Sequence, residues 1–243
     1  MNNEDIYKQY YDKWATLISE NNKLKQYSTE VGEVENLKVP EKYLKIWETI
    51  SKPVQLRKAR NYGLTEERTH KCLKELQKRA YFLVQTANFF DVKNILEVGT
   101  AEGYQFFSFA EYSKKSKGHV WSCDIKDVRH KDSIGNYSDQ CTFHLGNSAS
   151  LSSKIEEENK DTKIDLFYID GAHDRTDVVK DVANLRRLQS DNPIWIFDDF
   201  DTRFGCYEDI KFLCSRSKEY KVYSVGETAS GKPNHQAMIF GKL

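Results

Sequence analysis

The sequence predicts an α/β fold: a doubly wound, mostly parallel seven-stranded sheet preceded by a helical N-terminal extension. Three observations carry this. Short apolar runs recur from residue 94 onward with helix-length segments between them. The first 90 or so residues instead repeat their apolar side chains at helical spacing. At 243 residues, the chain is long enough for one sizeable α/β domain with an appendage.

The helical part rests on three series. Ile6, Tyr10, Trp14, Leu17 and Ile18 form the first, Leu44, Trp47 and Ile50 the second, and Leu73, Leu76, Ala80, Leu83, Val84 and Ala87 the third. Between the first two, the polar stretch from Asn21 to Pro40 reads as a loop or a partly disordered segment. Residues 1–90 are therefore expected to be a helical extension that packs against the rest, with its many aromatics also suiting a substrate cover or a dimer surface. Residues 91–243 are expected to form the α/β domain.

Within that domain the apolar runs are 94–100, 119–125, 141–146, 164–170 and 194–199. The segments between them have room for crossover helices, and such alternation gives parallel strands with helices on both faces. Two more runs, Tyr220–Val225 and Gln236–Gly241, are joined by the turn-rich Glu-Thr-Ala-Ser-Gly-Lys-Pro-Asn and should pair antiparallel. No internal repeat or low-complexity tract interrupts the pattern.

In an open parallel sheet the ligand sits beyond the carboxyl ends of the strands, so the residues that end each run are the candidates for chemistry. The first run ends in Gly99-Thr-Ala-Glu-Gly103, where Gly99 and Gly103 let the backbone turn and approach a ligand. The second ends in Asp124, where a nucleotide site places the carboxylate that binds ribose hydroxyls. The third ends in Gly146-Asn147-Ser148, the fourth in Asp170-Gly-Ala-His173 and the fifth in Asp198-Asp199. Three carboxylates, Asp170, Asp198 and Asp199, thus gather on one rim, and a hard divalent cation would relieve their mutual repulsion. Either aspartate of the pair can equally cap the following turn. His173 is the histidine this pattern brings to the rim, and an imidazole suits proton abstraction at neutral pH.

Composition excludes other classes. Lys plus Arg and Asp plus Glu number 37 each, so the net charge gives no reason to expect nucleic acid or an anionic membrane as partner. Five cysteines without a C-x-x-C pair argue against a disulfide framework and a structural zinc site, and point to a reduced, cytoplasmic setting. No signal peptide or membrane span is legible. Gly-Thr-Ala-Glu-Gly lacks the G-x-G-x-x-G spacing of a dinucleotide-dependent oxidoreductase.

Leu-Glu-Val-Gly-Thr-x-x-Gly, the run Ile164-Asp-Leu-Phe-Tyr-Ile-Asp-Gly-Ala-His173 and Ile194-Trp-Ile-Phe-Asp-Asp-Phe200 resemble class I S-adenosylmethionine-dependent methyltransferases. The likeness covers roughly residues 92–243. It is nearest to the branch of bacterial sugar and macrolide O-methyltransferases and, more distantly, to catechol O-methyltransferase. The resemblance implies that Glu97, Gly99, Thr100 and Gly103 surround the methionine part of S-adenosylmethionine. It further implies that Asp124 binds the ribose and that Asn147 and Ser148 lie near the adenine. In metal-dependent members, residues matching Asp170, Asp198 and Asp199 hold Mg²⁺ or Mn²⁺. Those resembling catechol O-methyltransferase carry a lysine base where this chain has His173, so His173 and Asp170 become the expected catalytic pair. The expected activity is O-methylation of a small polar acceptor, a sugar hydroxyl before a catechol. Amine or carboxylate methylation without a metal, and a non-catalytic cofactor-binding subunit, are the alternatives.

Overall fold

The computed structural model describes residues 3–31, 34–50, 63–227 and 232–243. Seven strands form one sheet in the order β3-β2-β1-β4-β5-β7-β6. They are β1 (Asn94–Val98), β2 (His119–Asp124), β3 (Cys141–Leu145), β4 (Ile164–Ile169), β5 (Gln189–Phe197), β6 (Glu219–Glu227) and β7 (Pro233–Phe240). The first five are parallel, and β7 runs antiparallel between β5 and β6. Both the doubly wound sheet and the antiparallel hairpin agree with the sequence. Strand β5 starts earlier than its apolar run, at Gln189, with a register irregularity against β4 and partly exposed residues before Pro193.

Because successive side chains on a strand point to opposite faces, each strand feeds two cores. Ile95, Val120, Leu166, Tyr168, Ile194, Ile196 and Met238 pack on one face, with α4 (Glu66–Phe89) and α5 (Tyr104–Ser116) over them. Leu96, Val98, Phe167, Ile169, Trp195, Phe197 and Ile239 pack on the other. That second face is covered by α7 (Ser148–Glu158), α8 (Asp177–Leu185) and α9 (Tyr207–Arg216). A short α6 (Lys131–Ile134) lies between β2 and β3.

The extension is helical, as its periodicity requires: α1 (Asn3–Glu20), α2 (Asn22–Glu30), a helical stretch at 41–50 that we label α3, and α4. The loop expected over Asn21–Pro40 is corrected to α2 followed by a short 3₁₀ turn at Val34–Asn36. Asn21 caps α2 by accepting from the Lys23 and Leu24 amides, and Leu24 and Tyr27, one turn apart, are both buried. Helix α1 straddles the β6 edge of the sheet, with Tyr7 in one core and Trp14 in the other. Trp14 stacks on Phe240 with centroids 6.0 Å apart, and Tyr27 shares a hydrogen bond with Thr86 of α4. Among the described residues, no helix is long and apolar enough to cross a membrane.

Candidate active site

The β1–α5 loop is shaped by contacts that glycine alone permits. A Cβ on Gly99 would lie 1.9 Å from the Asp170 carbonyl oxygen, so this residue lets the ends of β1 and β4 close together. Gly103, at φ 96°, starts α5 against the Phe107 ring. The loop backbone is anchored by Asp124, whose carboxylate accepts from the Ala101 amide at 2.8 Å and the Lys126 amide at 3.0 Å.

A cavity of about 760 Å³ opens on this rim. Gly99, Thr100, Asp124, Asn147, Ser148, Asp170 and His173 all line it, so these strand-end residues meet around one cavity. Its volume suits a cofactor-sized ligand. Glu97 and Gly103 are not among the lining residues. Glu97 is 1% exposed and accepts a 2.6 Å hydrogen bond from Ser122, which also contacts Thr100. Burial pushes its carboxyl up to about 8, the Ser122 bond opposing this, so at neutral pH it is mostly a neutral prop behind the loop. Asn147 is the N-cap of α7, accepting from the Ser150 amide, and the Ser148 hydroxyl donates to Asp181 at 2.6 Å.

The three expected metal carboxylates separate into two groups. Asp170, His173 and Asp199 each offer a ligand atom within 4.8 Å of the others. His173 Nδ1 stands 2.7 Å from Asp199 Oδ2, and Asn234 donates to the other Asp199 oxygen at 3.2 Å. Asp198 lines a second pocket together with these three groups, but it is already paired: Arg79 Nη1 lies 3.1 and 3.3 Å from its oxygens and Gln236 Nε2 donates to it at 2.7 Å. Asp198, expected as a ligand, thus stands outside the three converging groups, its charge matched by a buried guanidinium.

Electrostatics follow from these pairings. Burial, and then the negative Asp198, push the Asp170 carboxyl well above the usual carboxylate range, with Arg79 pulling the other way. Burial opposes ionisation of Asp199, but the His173 hydrogen bond and charge outweigh it and hold that carboxyl low. The Asp199 bond, joined by Cys206, raises His173 to about 11. An imidazole with that affinity already carries its proton at neutral pH, so the geometry favours His173 as a partner of Asp199 over a free base.

Arg79, Tyr168, Gln236 and Asn234 were not foreseen from sequence. The signal for Arg79 was a charged residue in the apolar stripe of Leu76, Ala80 and Leu83. For Gln236 it was a polar side chain in a strand whose residues from Asn234 to Ile239 are all buried.

Residues 96–200 match a family model described as a methyltransferase domain. No curated protein matches the chain in sequence. Among solved structures, the chain is similar to an O-methyltransferase from Bacillus cereus in complex with SAH. The TM-score is 0.60 at 17% identity, covering 89% of this chain and 96% of that one. It is also similar to the O-methyltransferase TomG from Streptomyces achromogenes, involved in tomaymycin synthesis and solved in complex with SAM. There the TM-score is 0.59 at 12% identity, with coverage of 95% and 98%. At such identities the likeness is one of fold. Residues 96–200 are thus similar to a methyltransferase domain, and the chain shares its fold with solved O-methyltransferases.

Proposed function

We propose that this protein is an O-methyltransferase that moves the sulfonium methyl of S-adenosylmethionine to a hydroxyl of a small polar acceptor, a sugar, with a divalent cation at the Asp170–His173–Asp199 cluster. The observation that carries the reading is a single cavity that has Asp124 and the glycine loop in its wall together with Asp170 and His173. The O-methyltransferases with the same fold support oxygen as the acceptor atom, and the likeness to sugar-modifying members supports the sugar.

The donor set fits a cation. Two carboxylates and an imidazole converge within 4.8 Å, and the Asp170 carboxyl is poorly compensated without one. Bound there, Mg²⁺ or Mn²⁺ would lower the pKa of an acceptor hydroxyl. The chain's own work is alignment. Asp124 fixes the loop that carries Ala101, and on this reading its carboxylate also receives the ribose hydroxyls. The rim cluster orients the acceptor oxygen toward the methyl, since a sulfonium methyl needs alignment and proton removal above all. With the three cluster groups occupied as donors, the leaving proton passes to solvent at the open rim, where the His173 side chain is 48% exposed.

Calorimetry with S-adenosylhomocysteine tests the cofactor end, and chelation tests the other. Asp124→Ala should weaken binding on the order of 10–100-fold, the worth of charge-assisted hydrogen bonds to a carboxylate. Activity on a panel of sugars and nucleotide sugars should vanish with chelator and return with Mg²⁺ or Mn²⁺. Unchanged affinity in Asp124→Ala would remove the cofactor assignment. Full activity in metal-free protein would remove the cation, and turnover of catechols alone would remove the sugar.

A further inference from the structure

We infer that Arg79 decides which of the two adjacent aspartates serves the rim: by holding Asp198 it makes that carboxylate a positioning group and leaves Asp199, with Asp170 and His173, as the donor set. This rests on the metal-assisted reading above. Two consecutive carboxylates at a strand end would both be open to one cation. Here they take different partners, Arg79 and Gln236 for Asp198 and His173 and Asn234 for Asp199, and Asp199 takes a left-handed backbone at φ 53°, a conformation uncommon for a non-glycine residue and kept only where the surroundings hold it.

Each of those surroundings is visible. The Asp198 side chain is 4% exposed and that of Arg79 11%. Burial disfavours the guanidinium charge, but Asp198 more than restores it. Gln236 donates both to Asp198 and, at 3.2 Å, to the Tyr168 hydroxyl, which in turn donates to Asp170 at 3.2 Å. Tyr223 fixes the Gln236 amide from the other side at 2.6 Å. The pair is thus tied to Asp170 through three hydrogen bonds, and a cation drawn to Asp198 would have to sit beside a fixed guanidinium. Arg79 comes from α4, outside the family-matched 96–200, so the extension sets the chemistry of the domain it precedes.

Calorimetric titration of Mn²⁺ into the full chain and its variants tests this. Asp199→Asn should weaken binding at least tenfold, whereas Asp198→Asn should leave it within about threefold. Arg79→Met frees Asp198 to join the cluster and should tighten Mn²⁺ about tenfold, roughly the effect of one added charge. The double variant Arg79→Met/Asp198→Asn should return to the wild-type value. A merely structural arginine would not tighten anything, so the sign of this cycle is the readout. Should Arg79→Met not fold, the double variant, which buries no unmatched charge, still has to bind as the wild type does. Equal losses in Asp198→Asn and Asp199→Asn, or no tightening in a folded Arg79→Met, would overturn the inference. Absence of Mn²⁺ binding by the wild type would instead overturn the metal-assisted reading and this inference with it.

Discussion

At the scale of single residues, the site is held by groups in unusual states. Glu97 is the clearest. Its carboxyl, buried behind the glycine loop, titrates near 8, against 4.5 when unperturbed. Between those values the folded protein keeps a proton that the unfolded chain has released, so folding stability falls as pH rises from about 4.5 to 8. Below 4.5 the penalty is absent. Glu97→Gln mimics the protonated form, still accepts from Ser122 and does not titrate. Its melting temperature should therefore stay level across this window while that of the wild type declines, a difference worth a few kcal/mol at pH 8. Parallel decline in both proteins would show that Glu97 ionises freely.

Elements depend on one another in ways that local pattern only partly shows. Helix α1 contributes no residue to the cavity wall among the described residues, yet Trp14 is 7% exposed and lies flat against Phe240 of β7. Trp14→Ala should cost about 3 kcal/mol in urea denaturation, the usual loss for a large buried aromatic. Affinity for S-adenosylhomocysteine should be unchanged, and a selective loss of that affinity would assign α1 a part in binding. The strands were legible because both-face burial writes continuous apolar runs, and the rim was legible because polar residues end those runs. Helix α2 was not, since Leu24 and Tyr27 are too few apolar positions among lysines and asparagine to show a stripe. The partner of Asp198 was not either, because nothing in local spacing tells Asp198 from Asp199. That distinction comes from Arg79, 119 positions away.

For the molecule as a whole, the sheet and the extension share one core. Trp14, Tyr27, Trp47 and Phe82 belong to the same buried cluster as Ile95, Tyr168 and Met238. Residues 1–90 and 91–243 are thus expected to unfold together. Fluorescence can follow both halves, with Trp14 and Trp47 in one and Trp121 and Trp195 in the other. Single-tryptophan variants reporting either half should melt at the same denaturant concentration as the far-ultraviolet dichroism. Two separated midpoints would establish 1–90 as an independently stable unit.

The place of β7 between β5 and β6 has a bearing on biosynthesis. Until residues 233–240 leave the ribosome, the run Ile194-Trp-Ile-Phe197 has an open hydrogen-bonding edge on its β7 side, and β6 has no strand to lie against. Such an apolar edge is a template for misassociation with other nascent chains. Gln236 arrives on the same late strand, so the glycine loop can form early while the Asp198 contacts wait for it. The interval between these events is when the nascent protein would most benefit from a chaperone that shields exposed strands.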